Sequence, residues 1–252
     1  MRILVVNVNT TATMTQSIAD AAKAVANKKT EIVELTPFIG ADSVEGNYES
    51  YLSAVAVMDR VLAYEDHYDA VIQAGFGEHG KEGLMEICDV PVIDITEAAA
   101  HTAMLLGYRF SVVTTLDRAC PLIEERLLLA GLHQHCASVR ASGLSVLELE
   151  EDPSLVSQAI AQEAKKAVEE DKAEVIVLGC GGMAGLDKKI AEVTHAPVVD
   201  GVSCAVKLAE SMVTLGLRTS KVRTYAPPRP KNVQYWPLHR HIFSSNTLKG
   251  DN

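Results

Sequence analysis

The sequence predicts an α/β fold of two similar lobes, each built on a parallel sheet, with a cleft between them. Strand-like runs alternate with helical patterns along the chain, which is typical of parallel sheets. Segments also recur: AVIQAGFG (70–77) returns as VIVLGCGG (175–182), and PVIDITEAA (91–99) returns as PVVDGVSCA (197–205). Repeats of this length predict two pseudo-symmetric lobes whose equivalent loops face each other.

Eight segments rich in β-branched residues are predicted as strands because turn residues bound them. In chain order they are Ile3–Val8, Glu31–Leu35, Ala70–Ala74, Val92–Asp94, Phe110–Thr114, Cys136–Arg140, Val175–Leu178 and Val198–Val199. Seven amphipathic segments are predicted as helices. These are Thr15–Asn27, Tyr48–Tyr64, Gly80–Cys88, Glu97–Gly107, Pro121–Ala130, Pro153–Asp171 and Ser203–Gly216.

The offsets of the repeats predict the division into lobes. Lobe one comprises residues 1–97 together with 205–225, and lobe two comprises residues 98–204. The last predicted helix, Ser203–Gly216, matches Glu97–Gly107 in the repeat. We therefore expect it to pack back on lobe one.

A change of composition marks an irregular C-terminal tail over residues 226–252. Three prolines in four positions exclude regular structure at its start. Its aromatic residues Tyr235, Trp236 and Phe243 favour docking on a surface or on a second subunit.

Charge and apolar content limit the protein's partners and compartment. The net charge of −10 argues against a nucleic-acid or anionic-membrane partner. No apolar run reaches the ~18 residues of a membrane span. The start, MRILVVNVN, lacks the features of a signal peptide, and five cysteines without a pairing pattern favour a reducing compartment. We therefore expect a cytoplasmic protein.

Four strand-to-helix turns are candidates for a ligand site, because ligands bind beyond the carboxyl ends of parallel strands. They are NVNTT (7–11), GFGEHG (75–80), TTLDR (114–118) and GCGGMAG (179–185). Glycine backbone N–H groups in such turns suit a carboxylate, an imide oxygen or a developing enolate. Nucleotide phosphate is the competing ligand, but neither glycine loop carries a phosphate-binding pattern.

Cys180 is the candidate catalytic residue. A thiol in a glycine turn beside a helix N-terminus is expected to have a lowered pKa. The alternative is a small buried residue in a tight turn, but its glycine neighbours favour a functional contact. Packing is the better interpretation of the other four cysteines, Cys88, Cys120, Cys136 and Cys204.

Histidines raise two further possibilities. His79 lies in the loop opposite Cys180 and could act as an acid or base, as could Glu78, although loop polarity and helix capping are simpler interpretations. The run from His133 to Cys136 has no partner ligands at a useful spacing, so no metal site is predicted.

Ordered motifs over residues 1–225 resemble the hydantoin and allantoin racemase branch of the aspartate/glutamate racemase superfamily. They are NVNTTATMT (7–15), SVEG (43–46), FGEHG (76–80), PVIDITEAAAH (91–101), FSVVTT (110–115), VIVLGCGGMAGL (175–186), APVVDGV (196–202) and KLAESMVTLGLRTSK (207–221). The resemblance implies two flavodoxin-like lobes, an active site between them, and neither metal nor organic cofactor. It also implies proton transfer by two cysteines on opposite faces of the substrate, in an enzyme that is usually a homo-oligomer.

The sequence departs from this family in the catalytic pair itself. Cys180 matches the second cysteine, but Gly75 stands in place of the first, in G-F-G-E-H-G against the family's C-F-G-D-P-G. Loss of a positioned acid or base typically costs ~10²–10⁴-fold in rate. His79 or Glu78 could substitute, although their distance from Gly75 along the chain predicts that both point elsewhere.

Three hypotheses therefore stay open. The first is a racemase acting on a small carbon acid such as a 5-substituted hydantoin. The second is a one-thiol enzyme, either a decarboxylase resembling arylmalonate decarboxylase, which also pairs a glycine with a cysteine, or a cysteine nucleophile. The third is a ligand-binding protein without turnover, whether natural or carrying an engineered Gly75. The substrate-binding residues expected are Asn9, Thr10, Gly75, Phe76, Gly77, Thr114, Thr115, Gly181 and Gly182.

Overall fold

Two four-stranded parallel sheets form the frame of the protein in the computed structural model, which describes residues 1–231. The first sheet has the order β2-β1-β3-β4 and the second has the order β6-β5-β7-β8, so the same topology occurs twice. The strands are β1 (Arg2–Val6), β2 (Glu31–Leu35), β3 (Ala70–Gln73), β4 (Val92–Asp94), β5 (Phe110–Thr114), β6 (Cys136–Ala141), β7 (Val175–Leu178) and β8 (Val198–Asp200). The predicted fold class and all eight predicted strands are confirmed.

Helices cover both sheets. They are α1 (Ala12–Val25), α2 (Asn47–Leu62), α3 (Lys81–Ile87), α4 (Ile95–Met104), α5 (Cys120–Leu129), α6 (Pro153–Glu169), α7 (Asp187–Thr194) and α8 (Gly201–Thr214). All seven predicted helices are present, and α7 is an eighth that the sequence analysis missed. Only Ile190 and Thr194 of α7 are buried, so the apolar repeat that marks a helix is nearly absent there.

The helix that follows each sheet packs on the other sheet. Ala99, Ala100 and Ala103 of α4 lie in one core with Phe110 of β5. In the same way, α8 contributes Val202, Ala205, Val206 and Ala209 to the core of the first sheet. We keep the predicted division into 1–97 with 205–225 and 98–204 as our proposal for the lobes.

The two helices meet at equivalent positions of the repeat, where Gly201 at the start of α8 contacts Ile95 at the start of α4. A β-carbon on Gly201 would lie 2.5 Å from the carbonyl oxygen of Ile95. Only glycine permits this approach, which holds the two lobes close at the carboxyl ends of their strands.

Residues 226–231 form neither helix nor strand, and Tyr235, Trp236 and Phe243 lie outside the described residues. None of the helices in residues 1–231 combines the length and the apolar character needed to cross a membrane.

Candidate active site

A small cleft of about 50 Å³, partly open to solvent, lies where the loops after β1, β3, β5 and β7 converge. Both halves of the chain contribute to it. Its lining is formed by Asn7, Val8, Asn9, Met14, Ile18, Val44, Ala74, Gly75, Phe76, His79, Thr114, Thr115, Ala119, Val146, Gly179, Cys180, Gly181 and Gly182. Nine of the twelve predicted site residues are in this lining.

The other three predicted site residues, Thr10, Gly77 and Glu78, are bonded elsewhere. The backbone N–H and the hydroxyl of Thr10 both donate to the carbonyl of Ala41. The N–H of Gly77 donates to Thr96 Oγ1 at 2.8 Å. Glu78 is paired with an arginine, as described below.

Cys180 lies between β7 and a short 3₁₀ turn, Gly181–Met183, and is half-buried as a residue. Burial raises the pKa of its thiol to about 11, against a smaller opposing effect of the Gly182 backbone. The predicted lowering of this pKa is therefore wrong. The next α-helix begins only at Asp187, so its dipole is too far away to stabilise a thiolate, and desolvation dominates.

Glycines bring the two loops into contact beside the thiol. A β-carbon on Gly181 would lie 2.7 Å from the carbonyl oxygen of Ala74, which precedes Gly75. One on Gly182 would lie 3.7 Å from Cys180 Sγ and 3.1 Å from Leu149. The loop after β7 therefore needs small residues at position 181, which packs against Ala74, and at position 182, which packs against Leu149.

His79 occupies the space beside Gly75. A β-carbon on Gly75 would collide with Val8 Cγ1 and would lie 2.5 Å from His79 Cδ2. The prediction that His79 points away from Gly75 is wrong, because the loop folds back through Gly77 and Gly80, at φ +133° and +88°.

The imidazole of His79 is neutral at physiological pH. Only 6% of the residue is exposed, and burial lowers its pKa to about 4. The backbone of Phe76 and the charge of Asp94 favour the protonated ring, whereas Arg126 disfavours it. Its Nδ1 lies 3.1 Å from Ser50 Oγ of α2.

A buried ion cluster, which the sequence analysis missed, holds the other side of this loop. Arg126 of α5, only 3% exposed, bonds to Glu78 and Glu82 at 2.8 Å, to Asp94 at 3.1 Å and to Glu97 at 2.7 Å. Arg126 belongs to α5, which packs on the second sheet. It thereby binds carboxylate side chains of residues that come at or after the ends of strands of the first sheet. Nothing local marks Arg126, because its partners lie 29 or more residues away.

Asn7 is a further cleft residue that the sequence analysis did not single out. Its amide Nδ2 donates to Asn9 Oδ1 at 2.7 Å and to Thr15 Oγ1 at 3.0 Å, and its Oδ1 accepts from Val8 N at 2.7 Å. This network sets the conformation of the loop after β1. The NVNTT motif marked this loop in the sequence, but Asn9, and not Asn7, was predicted there as a substrate-binding residue.

Two loops cover the cleft from opposite halves of the chain. Val44 and Val146 line it, and Glu45 Oε1 accepts a hydrogen bond from Val146 N at 3.0 Å.

Among residues 1–231, His, Cys, Asp and Glu side chains form no group that could hold a metal ion.

Comparison with known proteins gives the family. The family model described as Asp/Glu/Hydantoin racemase matches residues 3–209. The chain belongs to this family. It is 40% identical to a hydantoin racemase of Pseudomonas sp. (strain NS671), over 92% of this chain and 93% of that protein.

Solved structures agree with this membership. The allantoin racemase from Pseudomonas fluorescens is 69% identical, with a TM-score of 0.91 over 92% of this chain and 99% of that one. Arylmalonate decarboxylase has a TM-score of 0.60 at 16% identity, over 89% of this chain and 97% of that one. The decarboxylase therefore shares the fold of this racemase-family chain.

Proposed function

We propose that this family member is a cofactor-independent racemase that inverts a carbon acid such as C5 of allantoin or another 5-substituted hydantoin. Its similarity to the hydantoin and allantoin racemases supports this substrate class. The narrow cleft between the sheets suits a small ring. Assembly into a homo-oligomer and a cytoplasmic location stay predictions.

His79 and Cys180 are the proposed acid/base pair. The carrying observation is that the His79 ring lies against Gly75, beside the position of the missing first cysteine, in the cleft that Cys180 lines. Glu78 is the weaker candidate, because its carboxylate is paired with Arg126 at 2.8 Å and does not line the cleft.

The protonation states of the two groups are complementary. With a pKa of about 4, His79 is a free base at neutral pH, and with a pKa of about 11, Cys180 is a thiol. His79 removes the C5 proton from one face while the Cys180 thiol donates its proton to the other. The enzyme is left as imidazolium and thiolate, which is the form that converts the opposite enantiomer or returns to neutral by exchange with water.

Asn9 is proposed to stabilise the enolate formed between these two steps. Its Oδ1 accepts from Asn7 Nδ2 and from Thr11 N, at 2.7 and 3.0 Å, so its amide N–H₂ is the end free to donate. That group contacts the weak acceptor Met14 Sδ at 3.2 Å and keeps a second hydrogen for an imide oxygen. Thr10 and Gly77 are not retained in the proposal, since their backbone N–H groups are already bonded.

Deuterium exchange tests the proposal. Each enantiomer of allantoin and of several 5-substituted hydantoins is incubated in D₂O, and loss of C5–H is followed together with optical rotation. The proposal predicts exchange coupled to inversion, and a loss of both in His79→Asn but not in the control His133→Asn, an exposed histidine. Exchange without inversion would contradict the two-base assignment, and no exchange with any substrate would favour the decarboxylase or a binding protein.

A one-thiol decarboxylase is the second candidate, favoured by a cleft with one cysteine whose raised pKa keeps it a proton donor. Loss of CO₂ from a malonate would leave an enediolate, which takes the thiol proton, and water would then reprotonate the thiolate. Release of CO₂ from phenylmalonate that requires Cys180 but tolerates His79→Asn would select this function instead.

A further inference from the structure

The SVEG motif (43–46), to which the proposed function gives no role, supplies part of the cover of the cleft. We propose that Glu45 is a positioning residue that ties Val44 to Val146 over the cleft and thereby limits the size of the substituent that a substrate carries at C5. This proposal deepens the proposed function, on which it rests, by adding the size class of the substrates.

The cover consists of two loops, each anchored in its own half of the chain. The start of the first cover loop (41–46) bonds to the loop after β1, and the start of the second cover loop (142–150) bonds to the end of β5 and the residue after it. In the described part of the chain, one hydrogen bond joins the two cover loops, from Val146 N to Glu45 Oε1 at 3.0 Å. Its acceptor is a carboxylate, so this bond is stronger than one between neutral groups.

Val146 is the fixed side of the cover and Val44 is the movable side. Val146 is 5% exposed and packs in the core of the first sheet, whereas Val44 is only partly buried. Arg118 also touches the first cover loop, with its guanidinium against Gly46, but this side chain is exposed and can move with the loop. Breaking the bond of Glu45 therefore frees Val44 and leaves Val146 in place.

The volume of the cleft makes this bond matter for the size of the substrate. An apolar cavity of ~150 Å³ holds one benzene ring. The cleft has about 50 Å³, so it takes a hydantoin with a substituent at C5 only when its cover moves outward. A larger substituent needs a larger movement, and the bond to Val146 opposes that movement. Loss of the bond should therefore favour large substituents over small ones.

Two variants of Glu45 separate its hydrogen bond from its charge. Burial is the main cause of the raised pKa of the Cys180 thiol, and the charge of Glu45 adds to it. Glu45→Gln keeps an oxygen that can accept from Val146 N but loses the charge, whereas Glu45→Ala loses both. Thr13→Val is the matched control. It removes another bond between the two halves of the chain, to Glu150 at 2.8 Å, in which both residues are exposed and neither lines the cleft.

Amide hydrogen exchange tests the bond without any substrate. We expect the Val146 N–H to exchange ~10-fold faster in Glu45→Ala than in the wild type, because the bond that protects it is lost. In Glu45→Gln and Thr13→Val its rate should stay near that of the wild type. The rates are measured by NMR on ¹⁵N-labelled protein. Equal rates in Glu45→Ala and in the wild type would overturn the proposal.

Racemisation kinetics test the consequence for substrates. The ratio of kcat/KM for 5-benzylhydantoin to kcat/KM for 5-methylhydantoin should rise ~10-fold in Glu45→Ala, and it should stay near the wild-type value in Glu45→Gln and Thr13→Val. An unchanged ratio in Glu45→Ala would overturn the limit on size. An equal rise in both variants of Glu45 would assign the effect to its charge and overturn the role of the bond.

Failure of the proposed function would look different. A wild type that racemises no hydantoin, allantoin included, would sink the proposed function and the limit on substrate size with it. The exchange rate of the Val146 N–H would still decide whether Glu45 joins the two cover loops.

Discussion

The two loops that face each other across the cleft come from one duplicated pattern but carry different chemistry. The loop after β7 places Cys180 in a turn kept tight by Gly181 and Gly182. The loop after β3 has Gly75 at the equivalent position and folds back through two glycines, so that His79 fills the space beside it. Under the proposed function, the duplicated backbone therefore takes its second acid or base from a different sequence position.

The starts of helices α4 and α8, which lie behind these loops, also differ in the partners of their capping aspartates. Asp94 and Asp200 are equivalent in the repeat, and each caps the helix that follows. Asp94 lies in the ion cluster with Arg126, whereas Asp200 accepts from Val202 N and Ser203, and burial raises its pKa. The first helix start thus lies in an ion cluster, whereas the second is held by hydrogen bonds within its own first turn.

The largest expected effect is on the second loop. Cys180→Ser replaces a thiol that can ionise with a hydroxyl that cannot, and should lower the rate of inversion ~10²–10⁴-fold. Cys204→Ser is the matched control, because Cys204 packs in the core away from the cleft and should keep its rate. Polarimetry with each hydantoin enantiomer measures both. Equal activity in the two variants would remove the thiol from the mechanism.

The buried imidazole of the first loop predicts an acid-dependent loss of stability. Its pKa is about 4 in the folded protein and 6.5 in the open chain, so unfolding takes up a proton between these values. Stability should therefore fall as the pH drops from about 6.5 to about 4, by on the order of 3 kcal/mol.

Urea unfolding across this pH range tests the point in the wild type and in His79→Asn. The variant should show a smaller fall, whereas His133→Asn, at an exposed position, should behave like the wild type. The same fall in all three proteins would mean that His79 titrates normally.

A cysteine placed at position 75, in the loop after β3, should destabilise the protein and should not reproduce the environment of Cys180. In Gly75→Cys the new β-carbon meets Val8 and His79, so we expect a loss of ~1–3 kcal/mol from overpacking. Adding His79→Ala should recover part of it by removing one of the two collisions. Thermal unfolding of both variants checks this. A single variant as stable as the wild type would show that the loop relaxes easily.

The smallest expected effect comes from a substitution at Glu78, which together with His79 was a candidate for the second base. Glu78 is 45% exposed and ion-paired with Arg126, so Glu78→Gln should change the free energy of unfolding by only ~0–1 kcal/mol and leave inversion in place. Glu82→Gln, whose carboxylate is equally exposed and makes an equivalent bond, is the control. A fall in rate confined to Glu78→Gln would make Glu78, and not His79, the second base.

Local signals in the sequence predicted the fold and most of the cleft. Apolar runs ending in glycine turns mark the strands, and the repeat places equivalent turns at the same edge of two sheets. Three features depended on contacts between distant segments and could not be predicted this way. They are the burial that raises the pKa of Cys180, the fold-back of His79 onto Gly75, and the partners of Arg126.

Isotope distribution at low conversion tests most directly whether two groups act from opposite sides. A single enantiomer of allantoin is incubated with the wild-type enzyme in D₂O, the enantiomers are separated, and deuterium at C5 is measured in each after subtraction of the uncatalysed exchange. If His79 removes the proton and Cys180 supplies the new one, the inverted product carries deuterium while the remaining substrate stays unlabelled. Deuterium entering the remaining substrate as fast as the product would mean that one group serves both faces.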